Sequence, residues 1–211
     1  RSLVGSEMCI RDSTKVPMRL EAYESSFIVF RKDTDKAVSE GCNYPEKSVL
    51  ATIDTPWTVA FQEKRGGPEA PVTFDTLYDW TTSDDLRIKY FSGDATYTNS
   101  FKLKKLPQGE VYVDLGKVMV MAKVKVNGEY AGGVWTAPYR LNITNLLRKG
   151  VNTIEVEVVN CWRNRVIGEK EAIPANERFT FQTATYLNKD SELQPSGLLG
   201  PVELQIYDYG K

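Results

Sequence analysis

The sequence predicts an all-β protein built from antiparallel strands, and residues 118–160 predict it most clearly. Over residues 118–126, valine or alanine alternates with methionine or lysine, which is the period of a strand with one buried face. Val120 is predicted to lie on that buried face. Asn127-Gly128 then supplies two residues that tolerate a positive φ, a strong hairpin signal. Residues 154–158 form a second alternating run. Together these features indicate an antiparallel sheet with one buried face.

Further short strands are predicted along the chain, separated by turn-forming residues. Trp57, Val59 and Phe61 alternate with smaller residues and are expected on one buried face. Residues 77–80 are predicted to form a helical turn, and no stretch has a long helical period. The other predicted strands are 72–74, 88–91, 95–103, 110–115, 178–186 and 202–207. Many short strands between Gly, Pro and Asn turns are typical of a sandwich or barrel.

Composition excludes several classes of function. The formal net charge is −1 and the lysines are spread along predicted strands, so there is no electrostatic footprint for nucleic acid. No apolar run approaches the length of a membrane span. The chain contains no histidine, which excludes Ser-His-Asp and Cys-His catalytic sites and removes the commonest zinc ligand. Cys9, Cys42 and Cys161 lack metal-ligand spacing; ordinary thiols are favoured over a Cys42–Cys161 disulfide.

Paired carboxylates are the candidate catalytic groups in a chain without histidine, because acid–base catalysis by carboxyl groups uses one protonated and one ionised partner. Asp84-Asp85 is adjacent in a predicted loop, and capping of a turn is the favoured interpretation. Glu155 and Glu157 lie on one strand face about 6.6–6.8 Å apart. That face lacks the concave pocket that raises a carboxyl pKa. No catalytic residue is therefore assigned, and the chain alone is expected not to be an enzyme.

An ordered set of motifs surrounds the hairpin: V-N-G at 126–128, W-T-A-P-Y at 135–139, I-T at 143–144, G-V-N at 150–152 and a strand that ends in Asn160. This pattern resembles the jelly-roll sugar-binding domain of family 2 glycoside hydrolases. Segments 93–97, 161–168 and 195–202 resemble the C-terminal module of glycoside hydrolase family 106. That family contains bacterial α-L-rhamnosidases and related enzymes that degrade plant and algal polysaccharides.

The resemblance implies a fold and a division of the chain. It selects a jelly-roll, galactose-binding-domain-like β-sandwich over residues 45–211. Residues 14–44 are expected to be the terminal strand or strands of a preceding domain plus a linker. Residues 1–13 have no clean period and resemble the adapter-derived tail of a metagenomic fragment, so they are expected to be non-native or disordered.

The resemblance also implies a function. The chain is expected to be a non-catalytic accessory module of a polysaccharide-degrading, α-L-rhamnosidase-like enzyme that is secreted or periplasmic in a bacterium. It would bind plant or algal carbohydrate, brace the upstream catalytic domain of the same polypeptide, or do both. The alternative is a purely structural interdomain sandwich without a ligand. Jelly-roll modules of this kind often hold a structural calcium ion, but no acidic loop here has the spacing of a calcium site, and no cofactor or metal ligand is assigned.

Aromatic and planar polar side chains are the candidate ligand contacts. Sugar rings present an apolar C–H face and vicinal hydroxyls, so the carbohydrate-binding residues are predicted to be Trp135, Tyr139, Arg140 and Trp162. Packing of the tryptophans under the sandwich or against a missing domain is the competing interpretation. The polar segment after Asn160 is predicted to be a loop whose donors contact the neighbouring domain. Those interdomain residues are Arg163, Asn164 and Arg165.

Overall fold

A computed structural model of the chain describes residue 16 and residues 18–31, 44–181 and 186–209. The predicted tail at 1–13 and most of the predicted linker lie outside the described residues. The strands are β1 (Glu46–Thr52), β2 (Trp57–Phe61), β3 (Val72–Phe74), β4 (Asp94–Leu103), β5 (Glu110–Asp114), β6 (Lys117–Met119), β7 (Met121–Val126), β8 (Glu129–Val134), β9 (Arg140–Asn142), β10 (Gly150–Val159), β11 (Gly197–Gly200) and β12 (Glu203–Asp208). The helices are α1 (Leu86–Lys89) and α2 (Arg163–Glu171), and short 3-10 turns lie at Glu63–Arg65, Trp80–Thr82, Thr144–Leu146 and Ala175–Glu177.

These strands form two main sheets. The smaller sheet has the strand order β1-β12-β5-β9, and the larger sheet has the order β3-β2-β4-β10-β7-β8. Within both sheets every neighbouring pair of strands is antiparallel. A short antiparallel ladder also joins β11 to β6. The predicted antiparallel β-sandwich is therefore confirmed.

The core lies between the two sheets and follows the alternation of the strands. Trp57, Val59 and Phe61 on β2 are buried as predicted, and so is the apolar face of β10. Val111 and Val113 on β5 meet them from the smaller sheet in one continuous cluster. Each fully buried aliphatic side chain of this kind contributes about 1.5–3 kcal/mol. Burial of one face per strand therefore holds the sandwich together.

The predicted hairpin is present between β7 and β8. Asn127 and Gly128 have φ angles of 54° and 84°, the left-handed conformation that a two-residue hairpin turn requires. The side chain of Asn127 anchors the turn, because its Nδ2 donates to the carbonyl of Leu146 at 2.7 Å and to Oδ1 of Asn152 at 2.8 Å. Asn152 is fully buried. The V-N-G and G-V-N motifs are thus joined by a hydrogen bond in space.

Two strand predictions were wrong. Residues 88–91 were predicted as a strand, but α1 covers part of them because the Asp85 carboxylate caps the helix by accepting the Arg87 N–H at 2.9 Å. The capping interpretation of Asp85 is confirmed. Residues 118–126 do not form one strand, and Val120 is exposed. The chain changes partner there: Val118 pairs with β11, whereas Ala122 pairs with β10.

The predicted polar loop at 161–168 was also wrong, because residues 163–171 form α2. Its buried side chains include polar ones, so the segment lacks the apolar stripe that reveals a helix in sequence. The helical turn expected at 77–80 was misplaced: residues 77–79 are not helical, and a 3-10 turn capped by Asp79 covers Trp80–Thr82. The described part of the predicted strand 178–186 lies outside any strand, and residues 182–185 are not described. Residues 18–22 and 27–30 pair with no described strand.

Candidate functional site

A cleft of about 240 Å³ lies on the outer face of the smaller sheet. Alternation explains its lining: because Val111 and Val113 face the core, Tyr112 between them must face outward. Directly opposed residues of antiparallel strands share a face, and Tyr207 is opposed to both Lys47 and Glu110. The cleft is lined by Arg19, Glu21, Glu24, Tyr44, Pro45, Lys47, Tyr112, Arg140, Tyr207 and Tyr209.

An arginine and two tyrosine rings form the floor of this sheet-face cleft. The ring centroids of Tyr112 and Tyr207 are 4.7 Å apart at an interplanar angle of 57°. Nη1 of Arg140 donates to the Tyr207 hydroxyl at 3.0 Å, and the guanidinium carbon lies 5.7 Å from the centre of that ring. Burial raises the pKa of Tyr207, although the Arg140 charge opposes the rise. The floor thus combines apolar ring surface with a positioned cation.

Glu110 orients the tyrosine hydroxyls at the edge of the cleft. Its Oε2 accepts from the hydroxyl of Tyr112 at 3.1 Å and from that of Tyr209 at 3.0 Å. Desolvation by burial, together with the Glu110 charge, raises the pKa of Tyr209 to about 12. The Tyr209 hydroxyl is therefore protonated throughout the physiological range and remains a hydrogen-bond donor.

Residues 19–24 close one side of the cleft. Oε1 of Glu24 lies 3.5 Å from Nη2 of Arg140, and its Oε2 accepts the Glu21 N–H at 2.8 Å. The backbone N–H of Arg19 donates to the Tyr44 hydroxyl at 2.5 Å. Within the described part of the chain Lys47 forms no ion pair. The cleft therefore carries both signs of charge.

The structure places the predicted carbohydrate-binding residues at separate positions. Trp135 is 73% exposed at the end of β8 and is not among the residues that line the cleft. Tyr139 is half-buried and packs against the core, and its carbonyl accepts the Leu115 N–H at 2.8 Å. Arg140 points into the cleft. Arg140, which directly follows the W-T-A-P-Y motif and begins β9, is thus the only one of the predicted carbohydrate-binding residues that lines the cleft.

Trp162 belongs to a second surface next to α2. Its ring packs edge-on against Phe179 with centroids 5.9 Å apart, and the guanidinium of Arg65 lies 4.9 Å from its centre. Val166 and Phe181 line the same depression. We refer to Trp162, Val166, Phe179 and Phe181 as the α2 aromatic surface. It offers few free polar groups, so its chemistry differs from that of the cleft.

The residues predicted to contact another domain are engaged within this chain. Asn164 is buried and exchanges two hydrogen bonds with the backbone of Gln194, at 2.6 and 2.8 Å. Arg165 is buried and donates to Glu169 at 2.8 Å and to the carbonyl of Glu177 at 2.6 Å. Arg163, which is half-buried, donates to the carbonyl of Glu192 at 3.1 Å. Because α2 turns these donors toward residues 177–194, they brace the local fold. Contact with another domain stays a prediction.

Sequence reasoning missed Tyr112, Tyr207 and Tyr209 as candidate contacts. The signal for them was present, because Tyr112 lies between two buried valines, and Tyr207 and Tyr209 are spaced by two residues. Their convergence depends on strand register, which no local pattern provides.

The described residues contain one cysteine and no assembled set of metal ligands. Among these residues no group of three or more His, Cys, Asp or Glu side chains is placed to hold a metal ion. Cys161 carries a free thiol, whose Sγ lies 3.1 Å from Oε1 of Gln194. Cys9 and Cys42 lie outside the described residues. No helix among those described has the length and apolar character needed to span a bilayer.

Comparison with known proteins identifies the class to which this sandwich belongs. The family model described as "Glycosyl hydrolase 2 galactose-binding domain-like" matches residues 74–191, more than half of the chain. The chain belongs to this family.

Two relatives show the context of the domain. A putative beta-glucuronidase of Formosa agariphila is 38% identical to it, over 64% of this chain and 14% of that protein. The structure of a rhamnosidase from Novosphingobium sp. PP1Y superimposes with a TM-score of 0.70 and 36% identity, over 87% of this chain and 16% of that one. The chain thus spans less than a fifth of the length of either relative.

Proposed function

We propose that this chain is a non-catalytic accessory domain of a multidomain glycoside hydrolase and that it binds carbohydrate in the sheet-face cleft. The observation that carries the proposal is the convergence of Tyr112, Tyr207 and Arg140 on one outward sheet face. Tyrosine rings pack against the apolar face of a sugar, and the guanidinium donates to hydroxyl or carboxylate oxygens. A cleft of about 240 Å³ suits a single sugar unit of a longer glycan.

The identity of the whole enzyme is a finer part of the proposal. The similarity to a rhamnosidase and to a putative beta-glucuronidase supports a polysaccharide-degrading parent. We place that parent near the family 106 α-L-rhamnosidases and assign this domain to its C-terminal part. A bacterial enzyme of this kind, acting on plant or algal polysaccharide, would be secreted or periplasmic.

The proposal is tested by a glycan-array screen of the full chain, followed by calorimetric titration of each glycan that binds. Tyr207→Ala and Arg140→Ala are expected to abolish binding. Trp135→Ala is the matched control, because this exposed ring lies outside the cleft. If Trp135→Ala lost binding while the cleft variants kept it, the binding site would be assigned to the 135–140 loop instead. A folded chain that binds no glycan would contradict the proposal.

A second function, bracing of a neighbouring domain, is favoured by the α2 aromatic surface. Phe181 is 92% exposed, and Trp162 and Phe179 are each more than 40% exposed. Contiguous exposed aromatic residues mark contact surfaces. A Trp162→Ala, Phe181→Ala double variant of the whole enzyme should then lose thermal stability of the parent while glycan binding by this domain is unchanged. An unchanged melting temperature would exclude bracing through this surface.

A further inference from the structure

A carboxylate of the chain itself, that of Glu24, lies beside Arg140 in the cleft, and it indicates the chemical class of the ligand. We propose that the sheet-face cleft recognises an acidic sugar, a uronic acid unit of a glycan, and that Glu24 occupies the place of the ligand carboxylate until the glycan binds. Residues 19–24, here called the strap, close one side of the site in the free protein. The inference rests on the proposed function and specifies its substrate class and regulation.

Arg140 is positioned to receive a carboxylate. Its side chain is 19% exposed, and Nη1 is held by the Tyr207 hydroxyl at 3.0 Å. Nη2 of the same guanidinium faces the strap, where Oε1 of Glu24 lies at 3.5 Å. Nη1 thus fixes the orientation of the guanidinium, and Nη2 faces the anion. A planar guanidinium held in this way is suited to a carboxylate, with which it forms a bidentate pair at close range.

The strap is attached at its start by the bond from the Arg19 N–H to the Tyr44 hydroxyl at 2.5 Å, but its contact at Glu24 is weak enough to be displaced. The distance from Glu24 to Arg140 is long, and the carboxylate side chain is 39% exposed, so solvent screens the ion pair. The turn that presents Glu24 is local: its backbone N–H donates to the Glu21 carbonyl at 3.1 Å, and its Oε2 accepts the Glu21 N–H at 2.8 Å. Beyond the strap, Phe27 and Phe30 are exposed. A ligand that also packs on the tyrosine rings therefore gains interactions that Glu24 does not make.

The charged residues that still line the cleft once the strap has moved are both cations. Arg140 and Lys47 belong to the sheet and remain, whereas Arg19, Glu21 and Glu24 leave with the strap, which removes one positive and two negative charges. Two sheet carboxylates share this face without lining the cleft: Glu110 accepts from two tyrosine hydroxyls, and Asp114, opposite Arg140 in the ladder, accepts the Gly116 N–H at 2.9 Å. If an uncharged sugar displaced Glu24, Nη2 of Arg140 would lose the carboxylate that it faces. Uronate is thus the sugar class whose own carboxylate can take the place of Glu24 beside Nη2.

The test is calorimetric titration of the full chain with a panel of uronic acid oligosaccharides and their carboxyl-reduced counterparts, in which a neutral hydroxymethyl group replaces each carboxylate. We expect the acidic form of the bound glycan to bind about tenfold more tightly, as for a charge-assisted hydrogen bond. Glu24→Gln should strengthen binding of the acidic form, and Arg140→Gln, which removes the cation, should remove the preference. Glu69→Gln serves as the control for removal of an acidic residue outside the cleft.

Each other outcome contradicts a specific part of the inference. Equal binding of acidic and reduced glycans would overturn the uronate assignment and leave carbohydrate binding intact. Weaker binding in Glu24→Gln would overturn displacement of the strap. Acetate or sulfate binding as tightly as the glycan would reduce the site to a simple anion site. Binding of neither glycan form by a folded chain would overturn the proposed function itself.

Discussion

Nε of Arg165 lies 2.8 Å from Oε1 of Glu169 one helical turn away, and both side chains are almost fully buried, at 3% and 6% exposure. The same carboxylate accepts the backbone N–H groups of Phe179 and Thr180 and the Thr180 hydroxyl. Arg165 also packs on the Phe179 ring, 4.2 Å from its centre. This ion pair therefore joins α2 to the segment that carries half of the α2 aromatic surface.

Breaking this pair is expected to be costly. Arg165→Met would leave the Glu169 charge buried without its cation, and loss of one partner of a buried pair costs about 3–5 kcal/mol. The free energy of unfolding from urea titration measures the effect. Lys123→Gln is the control, because Lys123 forms an ion pair of similar length with Glu157 at the surface, where little change is expected. Equal losses in the two variants would contradict a buried role for the pair.

The same carboxylate predicts a pH dependence of stability. Burial alone would raise the pKa of Glu169, but hydrogen bonds from Thr180, Phe179 and Arg165 outweigh it and hold the pKa below its ordinary value of 4.5. The unfolded state thus binds the proton more readily than the folded state. The resulting stability is present above pH 4.5 and is lost as the pH falls through the lower, folded-state pKa.

Urea titrations at neutral pH and at successive values below 4.5 check this dependence. Glu169→Gln is expected to be less stable at neutral pH and to lose less stability on acidification than the unaltered chain. An equally steep acid loss in both proteins would assign the pH dependence to other carboxylates.

The Tyr97 hydroxyl is a second buried polar centre. It accepts the indole N–H of Trp80 at 2.6 Å and the backbone N–H of Leu198 at 3.2 Å. Tyr97→Phe would leave both buried donors without an acceptor, at about 1–3 kcal/mol for each. Thermal and urea unfolding measure the loss. Tyr130→Phe, at an exposed hydroxyl, is the matched control, and a similar change in both variants would contradict the network.

Two glycines with positive φ allow the cost of backbone conformation to be measured apart from the cost of steric overlap. Gly128 has φ +84° with open space around a built Cβ, whereas Gly116 has φ +64° and its Cβ would lie 2.5 Å from the backbone of Gly200. Gly128→Ala is expected to cost about 1–2 kcal/mol for the left-handed conformation alone. Gly116→Ala should cost clearly more, because it also separates two chain segments. If both variants lost the same free energy of unfolding in urea titration, the backbone around Gly116 and Gly200 would have to adjust without cost.

Local pattern predicted the fold well where one strand face is buried. The alternation at 57–61 and 154–158 and the turn at Asn127-Gly128 all have the predicted conformation, because period and turn chemistry are properties of neighbouring residues. Prediction failed at Val120, where the strand changes partner, and at α2, whose buried side chains are mostly polar. In both places the controlling interaction comes from a distant segment, β11 for the first and residues 177–194 for the second.

The motifs that carry the resemblance to the family mainly stabilise turns of the fold. Asn127 and Asn152 join two turns, and Asn160 binds the backbone of Phe91 and Gly93 at 2.8 and 3.0 Å. Such side chains are recognisable in sequence because each turn requires a particular amide at a particular place. A pattern of this kind identifies the fold without identifying the ligand site.

By itself, the sequence determined the strand periods, the hairpin turn and the class of β-sandwich, because these depend on the order of polar and apolar residues along the chain. The tertiary structure alone decided the candidate site. Lys47, Tyr112, Arg140 and Tyr207 come from four separate strands, and Glu24 comes from a segment outside the sandwich. They meet because antiparallel register and core burial turn one face of each strand outward, and register is set by interactions between residues that are far apart in sequence.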